Sequence, residues 1–177
     1  MRLIMLCGQG GAGKSTYGKW LEKELNNTIL IRVDDLIIPG QPFDKKYVDK
    51  YINNIIKAIN SNYSNIIMDF AHDNATNRAN ILNKIISQIN TQDIDFITIS
   101  LRPGAETVVD WTIKRYRLGN FPKEELIKLI GEERINRVKN IYNNFQYPTI
   151  EEFEKYNFNS IQNYVIDNSK PYERLFW

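Results

Sequence analysis

The sequence predicts an α/β fold, a five-stranded parallel sheet with helices on both faces. Three observations predict it. Short apolar runs alternate along the chain with longer stretches of helical periodicity, the order that a parallel sheet with crossover helices requires. The first of these runs leads straight into a glycine-rich turn and then a helical stripe. The length, 177 residues with 25% charged and 42% apolar, suits one domain spanning 1–177.

Arg2 to Cys7 is a short apolar run bounded by glycine, the signature of a buried parallel strand. Lys14 to Leu25 carries Tyr17, Leu21 and Leu25 at helical spacing. Thr28 to Val33 is rich in β-formers and ends at Asp34-Asp35, and Pro39-Gly40 marks a loop. From Asp44, the stripe Tyr47, Tyr51, Ile55, Ile59, flanked by Val48, Ile52 and Ile56, predicts a helix. Asn65 to Met68 is a third strand, ending at Asp69. Asp73 or Asn74 caps a helix that buries Ile81, Leu82, Ile85, Ile86 and Ile89. Ile94 to Leu101 is the fourth strand, and Pro103-Gly104 opens a helix with Val108, Val109, Trp111 and Ile113. Gly119-Asn120 breaks that helix. Pro122 fits the first turn of one further helix running to about Phe145, with Leu126, Ile130, Val138, Ile141 and Tyr142. Pro148 ends it, and Thr149-Ile150-Glu151-Glu152 reads as a capped helix start. Ser160 to Ile166 is the fifth strand.

A net charge of +2 exerts no global pull toward nucleic acid or membrane, so any nucleic-acid contact is a local patch. The one cysteine, Cys7, cannot form an internal disulfide and reads as a small buried hydrophobe. No apolar run approaches the roughly 18 residues needed to span a bilayer. Nor does the start resemble a signal peptide. A cytoplasmic protein with no membrane partner is expected.

The segment Gly8-Gln9-Gly10-Gly11-Ala12-Gly13-Lys14-Ser15-Thr16 matches the P-loop, or Walker A, pattern in full, with a strand before it and a helix after it. Its glycines let backbone N–H groups turn inward around phosphate oxygens. The helix beginning near Lys14 aims its positive end at the same anion. Lys14 supplies a point charge for the β- and γ-phosphates, and Ser15 a hydroxyl ligand for Mg²⁺. The expected fold is therefore that of P-loop NTPases, with ATP and Mg²⁺ as cofactors.

A P-loop alone does not separate kinases from GTPases and motor ATPases. Three features favour a small kinase. The chain is short, with the loop almost at its start. Asp34, where the second strand ends, is placed to accept the proton of an attacking hydroxyl. Lys114, Arg115 and Arg117 precede a Gly-Asn-Phe-Pro turn, where a helical lid over about 112–125 brings guanidinium groups to the transferring phosphate.

The P-loop, RVDDL after the second strand and IIMDFAHDNATNR after the third together resemble the bacteriophage-type polynucleotide 5′-hydroxyl kinase family, within a wider group that includes zeta-toxin-like kinases. The resemblance spans about residues 1–155. It implies that Lys14 and Ser15 hold phosphates and metal, and that Asp34 is the general base. It implies that Asp69 and Arg78 lie near the acceptor, and that Arg115 and Arg117 clamp the ATP phosphates from the lid. The implied substrate is a nucleic-acid 5′-hydroxyl end, in repair of broken RNA or DNA. Two departures fall on the acceptor side. Ile37 stands where the family often has an arginine, and Asp69-Phe70-Ala71-His72-Asp73 replaces its shorter Asp-Thr-Asn stretch.

Asp35 and His72 join the acceptor-side candidates, His72 because it follows a strand's C-terminal end. Phe43 and Phe70 are candidates for stacking on a base. Arg134, Arg137 and Lys139 read as an exposed helix face. Other readings stay open: a small-molecule kinase acting on a nucleoside, nucleotide or nucleotide sugar; a phage kinase acting on a hydroxymethylated DNA base; and an ATP-binding regulatory module.

Overall fold

A computed structural model describes residues 1–70, 74–115 and 122–167. Five parallel strands lie in the order β2-β3-β1-β4-β5: β1 (Arg2–Cys7), β2 (Thr28–Arg32), β3 (Asn65–Asp69), β4 (Asp95–Leu101) and β5 (Ser160–Ile166). Among the described residues six helices accompany them: α1 (Lys14–Glu24), α2 (Lys45–Ile59), α3 (Ala75–Ile86), α4 (Ala105–Arg115), α5 (Lys123–Ile130) and α6 (Glu132–Asn143). The α/β architecture with a five-stranded parallel sheet is as the sequence predicts. Among the described residues, no helix is long and apolar enough to cross a membrane.

Alternation along the strands sorts the core into two faces. Leu3, Met5 and Cys7 of β1 join Ile66 and Met68 of β3 on one face, covered by Tyr51 and Ile55 of α2 and Leu82 and Ile85 of α3. Ile4 and Leu6 join Ile67, Ile97 and Ile99 on the other, covered by Tyr17 and Leu21 of α1. Gly18 lets α1 sit close, since a Cβ there would lie 2.9 Å from Leu30 Cδ1. A smaller cluster, Val109, Ile113 and Ile135 with Leu126, Ile127 and Ile130, binds α4, α5 and α6 to one another.

Three local expectations are corrected. The helix predicted from Pro122 to about Phe145 is two helices, because Gly131 adopts φ 93° between them. Pro122 stands just before α5 rather than inside its first turn. No helix starts at Thr149; a 3₁₀ turn forms later, over Glu154–Tyr156. Asn74 is the cap of α3, its side chain accepting from Asn77 N at 2.9 Å. Of the proposed lid, about 112–125, residues 112–115 belong to α4 and 123–125 to α5, while 116–121 lie outside the described residues.

Candidate active site

Register brings the site together before any side chain is considered. Leu6 of β1, Asp69 of β3 and Arg32 of β2 lie side by side at the C-terminal ends of adjacent strands. That edge of a parallel sheet is where ligands bind in α/β folds. A cleft of about 800 Å³ opens there. The phosphate-loop residues Gly8, Gly11, Gly13, Lys14 and Ser15 line it on one side, and Asp34, Asp69 and Phe70 on the other.

The loop takes its shape from backbone angles that L side chains rarely adopt: φ 143° at Gly8, 90° at Gly11 and 85° at Gly13. A Cβ at Gly8 would also meet Leu101 O at 3.0 Å and Ala12 Cβ at 3.2 Å. Gly13 precedes α1 with no side chain capping the helix, and no acidic residue stands in its first turn. The positive end of α1 therefore faces the cleft, an anion site. Lys14 Nζ donates to Gly8 O at 2.7 Å and Gln9 O at 3.1 Å, which holds its ammonium over the loop. Gly10 and Thr16 are exposed on the rim, and Ala12 is buried beneath it.

Ser15 Oγ donates to Asp69 Oδ2 at 2.7 Å. Asp69 is buried, and burial raises its carboxyl above the usual aspartate range; the Ser15 bond, Lys14 and Arg32 oppose that shift. Sequence reading places Asp69 near the acceptor. The structure places its carboxylate on the phosphate-loop hydroxyl, the pairing that holds Mg²⁺ in P-loop proteins.

Asp34 begins a 3₁₀ turn, Asp34–Leu36, and its side chain is 69% exposed at the cleft mouth. Arg32 spans three carboxylates: Nη1 to Asp35 Oδ1 at 3.1 Å, Nη2 to Asp34 Oδ2 at 4.0 Å and Nε to Asp69 Oδ2 at 3.5 Å. Only the Asp35 contact is a hydrogen bond. Arg32 is the residue sequence reading missed. Its signal was present, a cation two residues before the first of two aspartates, but its link to Asp69 needs the strand register.

Two acceptor-side candidates have protein partners of their own. Arg78 is 1% exposed, donating Nε and Nη2 to Glu152 at 2.8 and 2.7 Å and Nη1 to Gln146 O at 2.8 Å. It straps α3 to the chain after α6, and its neighbours Asn77, Asn80 and Ile81 line the cleft instead. Asp35 turns to Arg32 and lines a separate groove between β2 and α2. Arg115 closes α4 by its backbone, while Arg117 and His72 lie outside the described residues. Cys7 is fully buried, with its thiol pushed up to about 12 by burial, the state of an inert hydrophobe. Arg134, Arg137 and Lys139 are exposed on α6.

No family model and no curated protein matches the sequence. Solved structures do match the fold. A candidate kinase from Chloroflexus aurantiacus aligns with TM-score 0.64 at 11% identity, over 97% of this chain and 91% of that one. A fungal RNA kinase aligns with TM-score 0.57 at 16% identity, over 92% and 73%. A sugar kinase from Janibacter sp. HTCC2649 aligns with TM-score 0.54 at 15% identity, over 97% and 87%. The chain thus has the fold shared by P-loop kinases.

Proposed function

We propose that the protein is an ATP-dependent kinase that transfers the γ-phosphate to a hydroxyl, and that the acceptor is a nucleic-acid 5′-hydroxyl end. The observation that carries the kinase reading is the Ser15–Asp69 bond at 2.7 Å beneath a glycine loop, with Asp34 across the same cleft. A module that only bound nucleotide would have no use for a second, exposed carboxylate at that mouth. The nucleic-acid reading draws on the sequence motifs and on the fold shared with an RNA kinase.

The donor set fits Mg·ATP. Loop amides and the end of α1 would cradle the phosphates, with Lys14 as the point charge. Ser15 and Asp69 would hold the metal, a hard cation that takes few protein ligands. When bound, that ion neutralises charge on the β- and γ-phosphates. Asp34 takes the proton of the acceptor hydroxyl as its oxygen bonds to the γ-phosphorus and the bond to the β-phosphate oxygen breaks, releasing ADP. Arg32 sets a positive charge between Asp34 and Asp69 at the strand ends. Arg115 and Arg117 are proposed to reach the transferring phosphate from the lid, and His72 to face the acceptor.

A small-molecule acceptor is the second reading. Ile37, lining the cleft where a phosphate-gripping arginine is common in the resembled family, favours it. Labelled ATP offered with 5′-hydroxyl oligonucleotides, nucleosides and sugars separates the two. Label on oligonucleotides supports the first reading, and label confined to nucleosides or sugars replaces it with the second. No transfer to any acceptor, with ATP bound, defeats the kinase assignment.

A further inference from the structure

One wall of the cleft is aromatic. Phe43 is 55% exposed and lies on Phe70, with ring centroids 6.0 Å apart and planes 17° from parallel. Phe70 leans in turn on buried Tyr51 at 5.5 Å, and Phe43 touches Tyr47 at 6.3 Å. The outermost ring is thus braced from behind while more than half of it stays accessible. Both phenylalanines line the cleft with Asp34, on the side formed by the ends of β2 and β3.

A second, independent feature points to a ligand with hydrogen-bonding edges. Gln9 lines the same cleft at 4% exposure, and neither end of its carboxamide has a hydrogen-bond partner among the described residues. A buried amide with both ends unmatched is costly, and a bound group carrying a donor and an acceptor relieves it. Asn77 and Asn80 of α3 line the cleft too. An aliphatic acceptor would gain only contact area from such a wall, and a sugar would meet Gln9 with its hydroxyls but bring no flat π face to the rings. A planar heteroaromatic ring would extend the stack and offer polar edges as well.

We propose that Phe43 and Phe70 form a stacking shelf for the nucleobase of the acceptor's terminal nucleoside, and that this ring contact sets its hydroxyl before Asp34. The inference rests on the kinase reading above and adds the group by which the acceptor is held.

The test compares adenosine, a 5′-hydroxyl oligonucleotide and the same oligonucleotide with an abasic 5′-terminal residue. Each is offered to the full chain, to Phe43→Ala and to Phe43→Trp. Loss of one stacked base predicts about a tenfold rise in KM of Phe43→Ala for the two base-bearing acceptors. The effect on kcat should be smaller, and Phe43→Trp should restore the wild-type KM. The abasic acceptor should be poor with wild type and insensitive to Phe43→Ala. Equilibrium dialysis of labelled adenosine reads the shelf without turnover: weaker binding by Phe43→Ala supports it even if no acceptor is phosphorylated, a result that would defeat the kinase reading alone. Equal use of abasic and base-bearing ends, or a Phe43→Ala effect on the KM for ATP instead of the acceptor, overturns the proposal.

Discussion

The two sides of the cleft are built by different means. The loop side is backbone: three glycines at positive φ, a helix end and a lysine folded onto loop carbonyls. The opposite side is side chain, drawn from the 3₁₀ turn, the loop before α2, α2 itself, the end of β3, α3 and α6, and mostly apolar in Ile37, Phe43, Val48, Phe70, Ile81 and Ile141. A phosphate is the same for every nucleotide, so a fixed backbone cradle suffices for it. An acceptor differs between enzymes, so its wall rests on residues that change without disturbing the loop. Charge follows the same division, since Lys14 is the only cation among the described residues lining the cleft.

Breaking the loop side should have the largest effect. Lys14→Ala removes its point charge and should lower transfer on the order of 10²–10³-fold, with ATP affinity falling too. Labelled-ATP binding and initial rates measured together check this. Breaking the strap behind the acceptor wall should instead cost stability. Arg78→Ala leaves Glu152 largely buried without its partner, and thermal or denaturant unfolding should show a loss of about 3–5 kcal/mol. An Arg78→Ala protein of full stability with weakened acceptor binding would return Arg78 to the substrate-binding role implied by the family resemblance.

Arg32 lies at the seam between the two sides. Arg32→Gln should lower activity about 10- to 100-fold, the scale of residues that orient metal and base carboxylates. Its pH–rate profile should shift as well, which a merely structural residue would not cause. Asp69 sharpens the contrast most finely. Its carboxyl is raised by burial, so the folded protein favours the protonated form more than the unfolded chain does. Its contribution to stability is present below the ordinary aspartate range and is lost as pH rises through the raised value. Asp69→Asn should therefore flatten the pH dependence of unfolding in that window while removing Mg²⁺-dependent transfer. An unchanged slope would mean that the carboxylate is not held as described.

Strands, helices and the phosphate loop were legible because each is a local pattern: apolar runs, helical stripes, and glycines before Lys14 and Ser15. What stayed hidden depends on partners far apart in sequence. The Arg78–Glu152 pair joins residues 74 apart, and the Ser15–Asp69 bond joins residues 54 apart. Arg78 reads as an acceptor-side residue by resemblance until the fold pairs it with Glu152, and Asp35 as a companion of Asp34 until it pairs with Arg32. Gly131 was passed over because the apolar stripe continues on both sides of it, while its positive φ ends α5.

The central claim is that phosphate binding and proton acceptance belong to opposite walls of one cleft. Asp34→Ala tests it most directly, with ATP affinity and transfer to a hydroxyl acceptor measured on the same preparation. The account predicts wild-type ATP affinity and a transfer rate reduced at least on the order of 10²-fold. Transfer at the wild-type rate, or ATP affinity lost along with it, would contradict it.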